Sequence, residues 1–105
     1  MTGLFQDYRR KMKPEDLIRL AIDLVNTDRQ RDYDHPLDNF TRIGKIWSAI
    51  LGIEVLPEQV ALCMVGVKIA REAHAPKDDN IVDGVGYFLT LAKVKEERVR
   101  RNDAQ

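Results

Sequence analysis

The stretch that most constrains the fold is residues 56–74, LPEQVALCMVGVKIAREAH, which reads as a helix that is apolar around nearly its whole circumference. A helix of this kind has to be covered by other elements on most sides. We therefore expect it to lie at the centre of the fold, with Cys63 as a small buried side chain. Gly66 in its interior costs about 1 kcal/mol relative to alanine, which predicts the close approach of a neighbouring helix.

Three further helices are indicated by proline or aspartate starts that are followed by apolar residues at steps of three and four. The first begins near Pro14, the second ends at Gly52 and the last begins at Asp78 or Asp79. The connections between them are short, so neighbouring helices should run largely antiparallel. The predicted fold class is all-α, a compact bundle of four main helices.

The length of 105 residues is that of a single domain. We divide it into a tail or short helix over residues 1–12, a helical bundle over 13–95 and a polar extension over 96–105. Four short helices this rich in apolar residues cannot all be covered within one small bundle, so we expect a homo-oligomer, either a dimer or a tetramer.

The charge balance bears on partners and location. Seventeen basic and 17 acidic residues cancel, so duplex nucleic acid is not an expected partner. The chain has no apolar run of spanning length and no signal-peptide core at its start, so we expect no membrane association. One cysteine excludes an internal disulfide and suits a reducing cytoplasm, the predicted location.

Lys68 is the informative exception within the apolar helix, and Arg71 follows it three residues later. A lysine among valine, isoleucine and methionine either extends to the surface or meets an anion. One interpretation is structural, an ion pair with Asp79 or Asp83. The other is functional: Lys68 as a point charge and Arg71 as a fork bind the phosphate oxygens of a nucleotide or another phosphorylated small molecule.

The start of the last helix supplies candidate catalytic and metal-binding residues. Asp79 and Asp83 are one helical turn apart and share a face. Two carboxylates at this spacing can hold one Mg²⁺, which prefers oxygen ligands. Asn80 is a further candidate for substrate binding. The structural interpretation is that Asp78 or Asp79 caps the helix while Asp83 pairs with a cation.

The start of the second helix is a second polar end that could complete this site, if the helices are antiparallel neighbours. It carries Asp38, a candidate metal ligand, and Asn39, a candidate substrate-binding residue. The chain has no glycine-rich phosphate loop, no paired-cysteine metal motif and no His-Glu-x-x-His motif.

Two runs, HPLDNFTRIGKIWSAILG and PEQVALCMVGVKIAREAHAPKDDNIVDGVGY, resemble a family of small proteins common in bacteriophages and prophages. The resemblance covers residues 33–92, and its most specific features are the Asn39-Phe40 and Asp79-Asn80 pairs and the stretch 68–71. The helical layout in turn looks like that of the MazG-type all-α nucleoside triphosphate pyrophosphohydrolases. Those enzymes hold magnesium with a Glu-x-x-Glu pair and a Glu-x-x-Asp pair on two helices.

This second resemblance implies a magnesium-dependent pyrophosphohydrolase that acts on nucleoside triphosphates. Asn80 and Asp83 would stand in the place of Glu-x-x-Asp, but no Glu-x-x-Glu exists in the second or third helix. Metal-assisted attack of water on phosphate needs enough negative ligands to hold the ion, so this departure weakens the enzymatic hypothesis. A non-catalytic nucleotide-binding protein that counters host defence and a purely structural helical oligomer are the alternatives.

Overall fold

The structure, a computed structural model, describes residues 12–30 and 34–104, without the side chains of residues 28–30. Four α-helices lie in this part of the chain: α1 Pro14–Gln30, α2 Pro36–Leu51, α3 Pro57–His74 and α4 Asp78–Asp103. The all-α class and the four main helices are therefore confirmed. The expectation of a tail or short helix over residues 1–12 falls, apart from Met12, outside the described residues.

The helix ends follow local chemistry. Helices α1, α2 and α3 each begin at a proline, a residue that suits the first turn because its missing N–H needs no partner there. The Nδ1 atom of His35 accepts a 3.0 Å hydrogen bond from the backbone N–H of Leu37 and so caps α2. Gly52 ends α2 with φ 74°, a left-handed conformation in which glycine has no Cβ penalty.

The core consists of two small clusters on different sides of α4. In the first, Leu17 and Ala21 of α1 pack against Val82 of α4. In the second, Phe40 of α2 packs with Val60 and Ala61 of α3, while Tyr87 and Leu91 of α4 cover them. No polar or charged side chain among the described residues is buried.

The central helix is α4, not α3 as expected from its composition. Helix α4 packs against α1, α2 and α3, whereas α3 packs mainly on α2 and α4. One side of the apolar α3 run is therefore open: Leu62 and Ile69 are exposed, and so is Cys63, for which a buried position was predicted. An alanine Cβ at Gly66 would meet no atom within 4 Å, so none of the other described helices approaches there.

The segment predicted to be a polar extension, residues 96–105, is largely the continuation of α4. Arg98 of this segment donates from Nη2 to Glu58 Oε1 of α3 at 2.7 Å, and Arg101 is bound to Asp38 of α2. These ion pairs hold residues 96–103 against the other helices, so this part of the chain belongs to the bundle. Across the described helices, none is both long and apolar enough to cross a membrane.

Candidate functional site

Lys68 and Asp83 form an ion pair between α3 and α4. The distance from Lys68 Nζ to Asp83 Oδ2 is 2.9 Å, and the lysine side chain is only 12% exposed. A connection of three residues, 75–77, joins the two helices, so residues at similar distances from it meet on the facing sides. Lys68 therefore does approach the acidic start of α4, as predicted. The contact is the ion pair with Asp83 that the structural interpretation named.

Beside this ion pair, α3 and α4 enclose an open groove of about 450 Å³, which we call the α3–α4 groove. Its lining is mostly apolar, with Ile69 of α3 and Phe88 of α4 as the large exposed side chains. The polar lining residues are Lys68, Glu72 and Asn80. The size and the mixture of apolar walls with a few polar groups are those of small-molecule sites.

Glu72 and Asn80 close one end of the groove. Glu72 Oε1 accepts hydrogen bonds from Asn80 Nδ2 and from the backbone N–H of Lys77, both at 3.1 Å. Asn80 Nδ2 also donates to the carbonyl oxygen of Ala75 at 3.2 Å. These bonds tie the α3–α4 connection together and leave the Asn80 side-chain oxygen, among the contacts described, available to a ligand.

A second groove, of about 340 Å³, lies between α1 and α4 on the other side of the ion pair. Asp83 lines it, together with Tyr87 and Thr90. Lys68 therefore borders one groove and Asp83 the other. Gly84 of α4 faces Lys68 of α3, and a Cβ at this position would be 3.8 Å from Lys68 Cβ, an ordinary van der Waals distance.

Arg71 and Asp79, both predicted site residues, lie at the surface. Neither makes an ion pair or a side-chain hydrogen bond with the described residues, and neither lines the α3–α4 groove. Arg71 is one helical turn after Lys68 and Asp79 is one turn before Asp83, so each is on the same side of its helix as a member of the ion pair. Both charged groups are available to a ligand.

Asp38 and Asn39 are not part of this site. Arg101 Nη1 and Nη2 donate to the two carboxylate oxygens of Asp38, each at 2.8 Å, which places the start of α2 beside the end of α4. An α-helix rises about 1.5 Å per residue, so residues 83 and 101 of α4 are about 27 Å apart. Asp38 and Asp83 therefore cannot ligate one metal ion, and the predicted ligand set of Asp38, Asp79 and Asp83 is wrong for a single chain.

A magnesium site built from acidic pairs on two helices, the kind implied by the resemblance, is not formed by the residues described. No group of three acidic, histidine or cysteine side chains within residues 12–30 and 34–104 converges on one point. Of the three predicted ligands, only Asp79 and Asp83 lie close enough in sequence to share an ion, and Lys68 already neutralises Asp83. The side chain of Glu72, which the sequence analysis did not select, is engaged by Asn80.

Glu97 and Arg101 organise the far end of α4 around Asp38. Hydrogen bonds from Arg100 and Arg101 lower the pKa of Glu97 from 4.5 to about 2, and hydrogen bonds from Arg101 lower the pKa of Asp38. A carboxylate with a depressed pKa in the folded state stabilises the fold above its unfolded pKa. This stabilisation is lost as the pH falls from about 4.5 toward 2.

We therefore expect Glu97→Gln to lower the melting temperature at pH 7 and to reduce the further loss on going to about pH 3. The reason is that glutamine has no carboxylate, whereas protonation of the Glu97 carboxylate breaks the ion pairs of the wild type at low pH. Glu96→Gln is the matched control, since Glu96 is exposed and makes no ion pair in the described structure. Equal acid sensitivity of the wild type and Glu97→Gln would contradict the prediction.

The fold and the site together define a class, that of small all-α bundles with an interhelical ion pair beside an apolar groove. The chain belongs to the family described as "Domain of unknown function (DUF6378)", whose profile matches residues 16–95. It is similar to the Gene 55 protein of Mycobacterium phage L5, with 35% identity over 81 residues that cover 75% of this chain and 52% of that protein.

A second relative is the Gene 55 protein of Mycobacterium phage D29, 30% identical over 92 residues that cover 87% of this chain and 61% of that protein. The chain thus spans about half to three-fifths of the length of these curated relatives. The resemblance to a phage protein family is confirmed. No solved structure matches the chain.

Proposed function

We propose that this protein binds a nucleotide or another phosphorylated small molecule in the α3–α4 groove. The observation that carries the proposal is the position of Lys68. Its side chain is 12% exposed and stands at the edge of a groove of about 450 Å³. A lysine held in this way is a point charge for phosphate oxygens, and its present partner, Asp83, is a carboxylate that a phosphate can replace.

The apolar lining suits the base of a nucleotide. Ile69 and Phe88 are both more than half exposed and border the groove from opposite helices. Covering such side chains with a flat ring removes apolar surface from water. The side-chain oxygen of Asn80, at the end of the groove that Asn80 and Glu72 close, offers a hydrogen-bond acceptor.

Arg71 adds a second cation. Its guanidinium has five N–H donors and no partner within the described structure. A polyphosphate that extends from the groove along α3 meets Lys68 first and Arg71 one turn later. The net neutral chain supplies no overall attraction for anions, so this local pair has to provide the affinity.

Magnesium-dependent hydrolysis of a nucleoside triphosphate is the second candidate. The observation in its favour is the pair Asp79 and Asp83, one turn apart, with Asp79 unpaired in the described structure. A bound triphosphate would add oxygen ligands to these two carboxylates, because Mg²⁺ sites in nucleotide enzymes commonly combine one or two carboxylates with substrate phosphates. Asp83→Asn should then abolish the release of pyrophosphate.

The test is calorimetric titration with a panel of nucleoside triphosphates, with and without Mg²⁺. We expect Lys68→Met to weaken binding at least tenfold while leaving the melting temperature nearly unchanged, since Asp83 is partly exposed and can be hydrated. Lys95→Met, which removes an exposed lysine on the distal half of α4, is the matched control and should bind like the wild type.

Three outcomes separate the candidates. Binding with unchanged nucleotide and no need for Mg²⁺ supports a binding protein. Release of pyrophosphate that stops in Asp83→Asn supports the hydrolase. If no nucleotide binds, or if Lys68→Met binds as tightly as the wild type, the proposed site is wrong.

A further inference from the structure

The apolar surface of the α3–α4 groove continues to the place where residues 1–11 join the described chain. Ile81 and Val85 of α4 line the groove. The same two side chains pack against the core cluster around Leu17, and Met12 packs against that cluster as well. Apolar side chains therefore connect Met12 to the groove.

A hydrogen bond fixes the point at which residues 1–11, which we call the leading segment, are attached. The backbone N–H of Met12 donates to Asp78 Oδ2 at 3.2 Å, and Asp78 is the first residue of α4. Asn80 and Ile81, which line the groove, follow within the same helical turn. The attachment point of the leading segment therefore lies beside the groove.

The leading segment is long enough to cover the groove. Phe88, the exposed aromatic side chain of the groove, follows Asp78 by ten residues, which is about 15 Å along α4. Eleven residues reach about 16 Å as a helix and about 36 Å when extended. Either conformation spans the distance from Met12 to Phe88.

The apolar residues of the leading segment suit the walls of the groove. They are Leu4, Phe5 and Tyr8, one aliphatic and two aromatic side chains. In the groove, Ile69 is 65% exposed and Phe88 is 53% exposed. Contact between these two sets of side chains removes apolar surface from water on both sides, and aromatic pairs add to this gain.

The charges of the leading segment suit the start of α4. Its last three residues, Arg9, Arg10 and Lys11, are basic. They directly precede the residue that is bonded to Asp78, so they are within reach of the acidic first turn of α4, which carries Asp78 and Asp79. Opposite charges at short range attract. The order of basic and apolar residues in the segment thus matches the order of acidic turn and apolar groove along α4.

The attachment beside the groove also favours this occupant over a separate molecule. A segment tethered next to its binding surface has an effective concentration on the order of millimolar. A second copy of the chain that offered the same contacts would have to reach that concentration to compete.

We infer that residues 1–11 dock in the α3–α4 groove of their own chain, where the apolar side chains of the leading segment cover Ile69 and Phe88 and its basic end lies beside Asp79. The docked segment competes with any other ligand of the groove. Docking does not depend on nucleotide binding and is tested without nucleotide.

The first test is a paramagnetic label on the full chain. A nitroxide attached at Gln6→Cys leaves the apolar residues of the segment intact, and Cys63→Ser removes the exposed native thiol. We expect the label to broaden the amide NMR signals of Ile69 and Phe88 more strongly than that of Ile50, which does not line the groove. Equal or weaker broadening at the two groove residues overturns the inference.

A mixed sample separates the chain's own segment from that of a second copy. Each chain in this sample carries either the nitroxide or the NMR isotope, but not both. We expect the groove signals to stay sharp in the mixture. Broadening there as strong as in the singly prepared chain means that the segment comes from another copy, and it overturns the inference.

The second test is a double-mutant cycle in thermal unfolding. Phe5→Ala and Phe88→Ala should each lower the melting temperature, and the double variant should lose clearly less than the sum of the two losses, because both changes remove the same contact. Phe5→Ala combined with Ile50→Ala is the matched control, since Ile50 is exposed and lies outside the groove. Its losses should be additive. Additive losses for Phe5 and Phe88, or an equal departure from additivity with Ile50, contradict docking in the groove.

Discussion

Leu17→Ala is expected to lower the free energy of unfolding by about 2–5 kcal/mol, the usual cost of removing a buried leucine side chain. Leu17 is 2% exposed and packs with Ala21 and Val82 in the cluster that joins α1 to α4. Helix α1 packs mainly on α4, so this small cluster is its principal attachment to the bundle. A cavity at Leu17 therefore weakens the hold of the whole helix.

The measurement is chemical unfolding at a fixed protein concentration, which is needed because association contributes to apparent stability. Ile18→Ala is the control at the adjacent position. Ile18 is 51% exposed, and its truncation should change the stability by no more than about 0.5 kcal/mol. Hydrogen exchange should show lost protection in α1 for Leu17→Ala only. Equal effects of the two variants would mean that α1 is rotated on α4.

Gly44→Ala is expected to cost about 1–3 kcal/mol, the range found when extra atoms are forced into a packed site. A Cβ at Gly44 would be 2.6 Å from the backbone oxygen of Val55. The turn between α2 and α3 is held in this position by Ser48, whose Oγ donates to Gly44 O and accepts from Val55 N. Because the obstructing atom belongs to the backbone, relief of the contact has to displace the turn.

Gly66→Ala is the matched control with the opposite expected sign. Gly66 is also inside a helix, but a Cβ there would meet no atom within 4 Å. Alanine should therefore stabilise the protein by about 0.5–1 kcal/mol, since glycine in a helix interior is less favourable by that amount. Thermal unfolding of both variants at one concentration checks the pair. If Gly44→Ala were as stable as Gly66→Ala, the close contact of α2 with the turn would be wrong.

Much of the fold followed from local signals. Pro14 and Pro57 mark helix starts because a residue without an N–H is tolerated only in the first turn, and Gly52 marks a helix end because it adopts a left-handed conformation. These signals depend on a residue and its immediate neighbours. They can therefore be read without knowledge of the packing.

The packing around α3 could not be read in this way. The run from Leu62 to Ile69 is apolar on nearly every side, so its pattern does not tell which side meets α4 and which stays open. The two glycines show the same limit. Gly66 was expected to permit a close contact and has none, while Gly44 of α2 has one and carried no distinguishing feature in the sequence.

The candidate site was predicted in part. Lys68 and Asp83 lie on either side of a short connection, so an antiparallel pair of helices had to bring them near each other. Asp38 was assigned to the same site only because α2 also begins with polar residues. Its actual partner, Arg101, lies 63 residues further along the chain, in a segment predicted to be a polar extension.

The amino-acid sequence by itself determined the all-α class, the helix starts and the contact of Lys68 with the start of α4, because each of these depends on interactions between residues close in the chain. Only the tertiary structure decided that α4 is the central helix, that one side of α3 stays uncovered, and that Asp38 belongs to the far end of the bundle. Those facts depend on how the helices are rotated and offset against one another. Rotation and offset are set by packing between residues far apart in the chain, which a pattern of neighbouring residues does not encode.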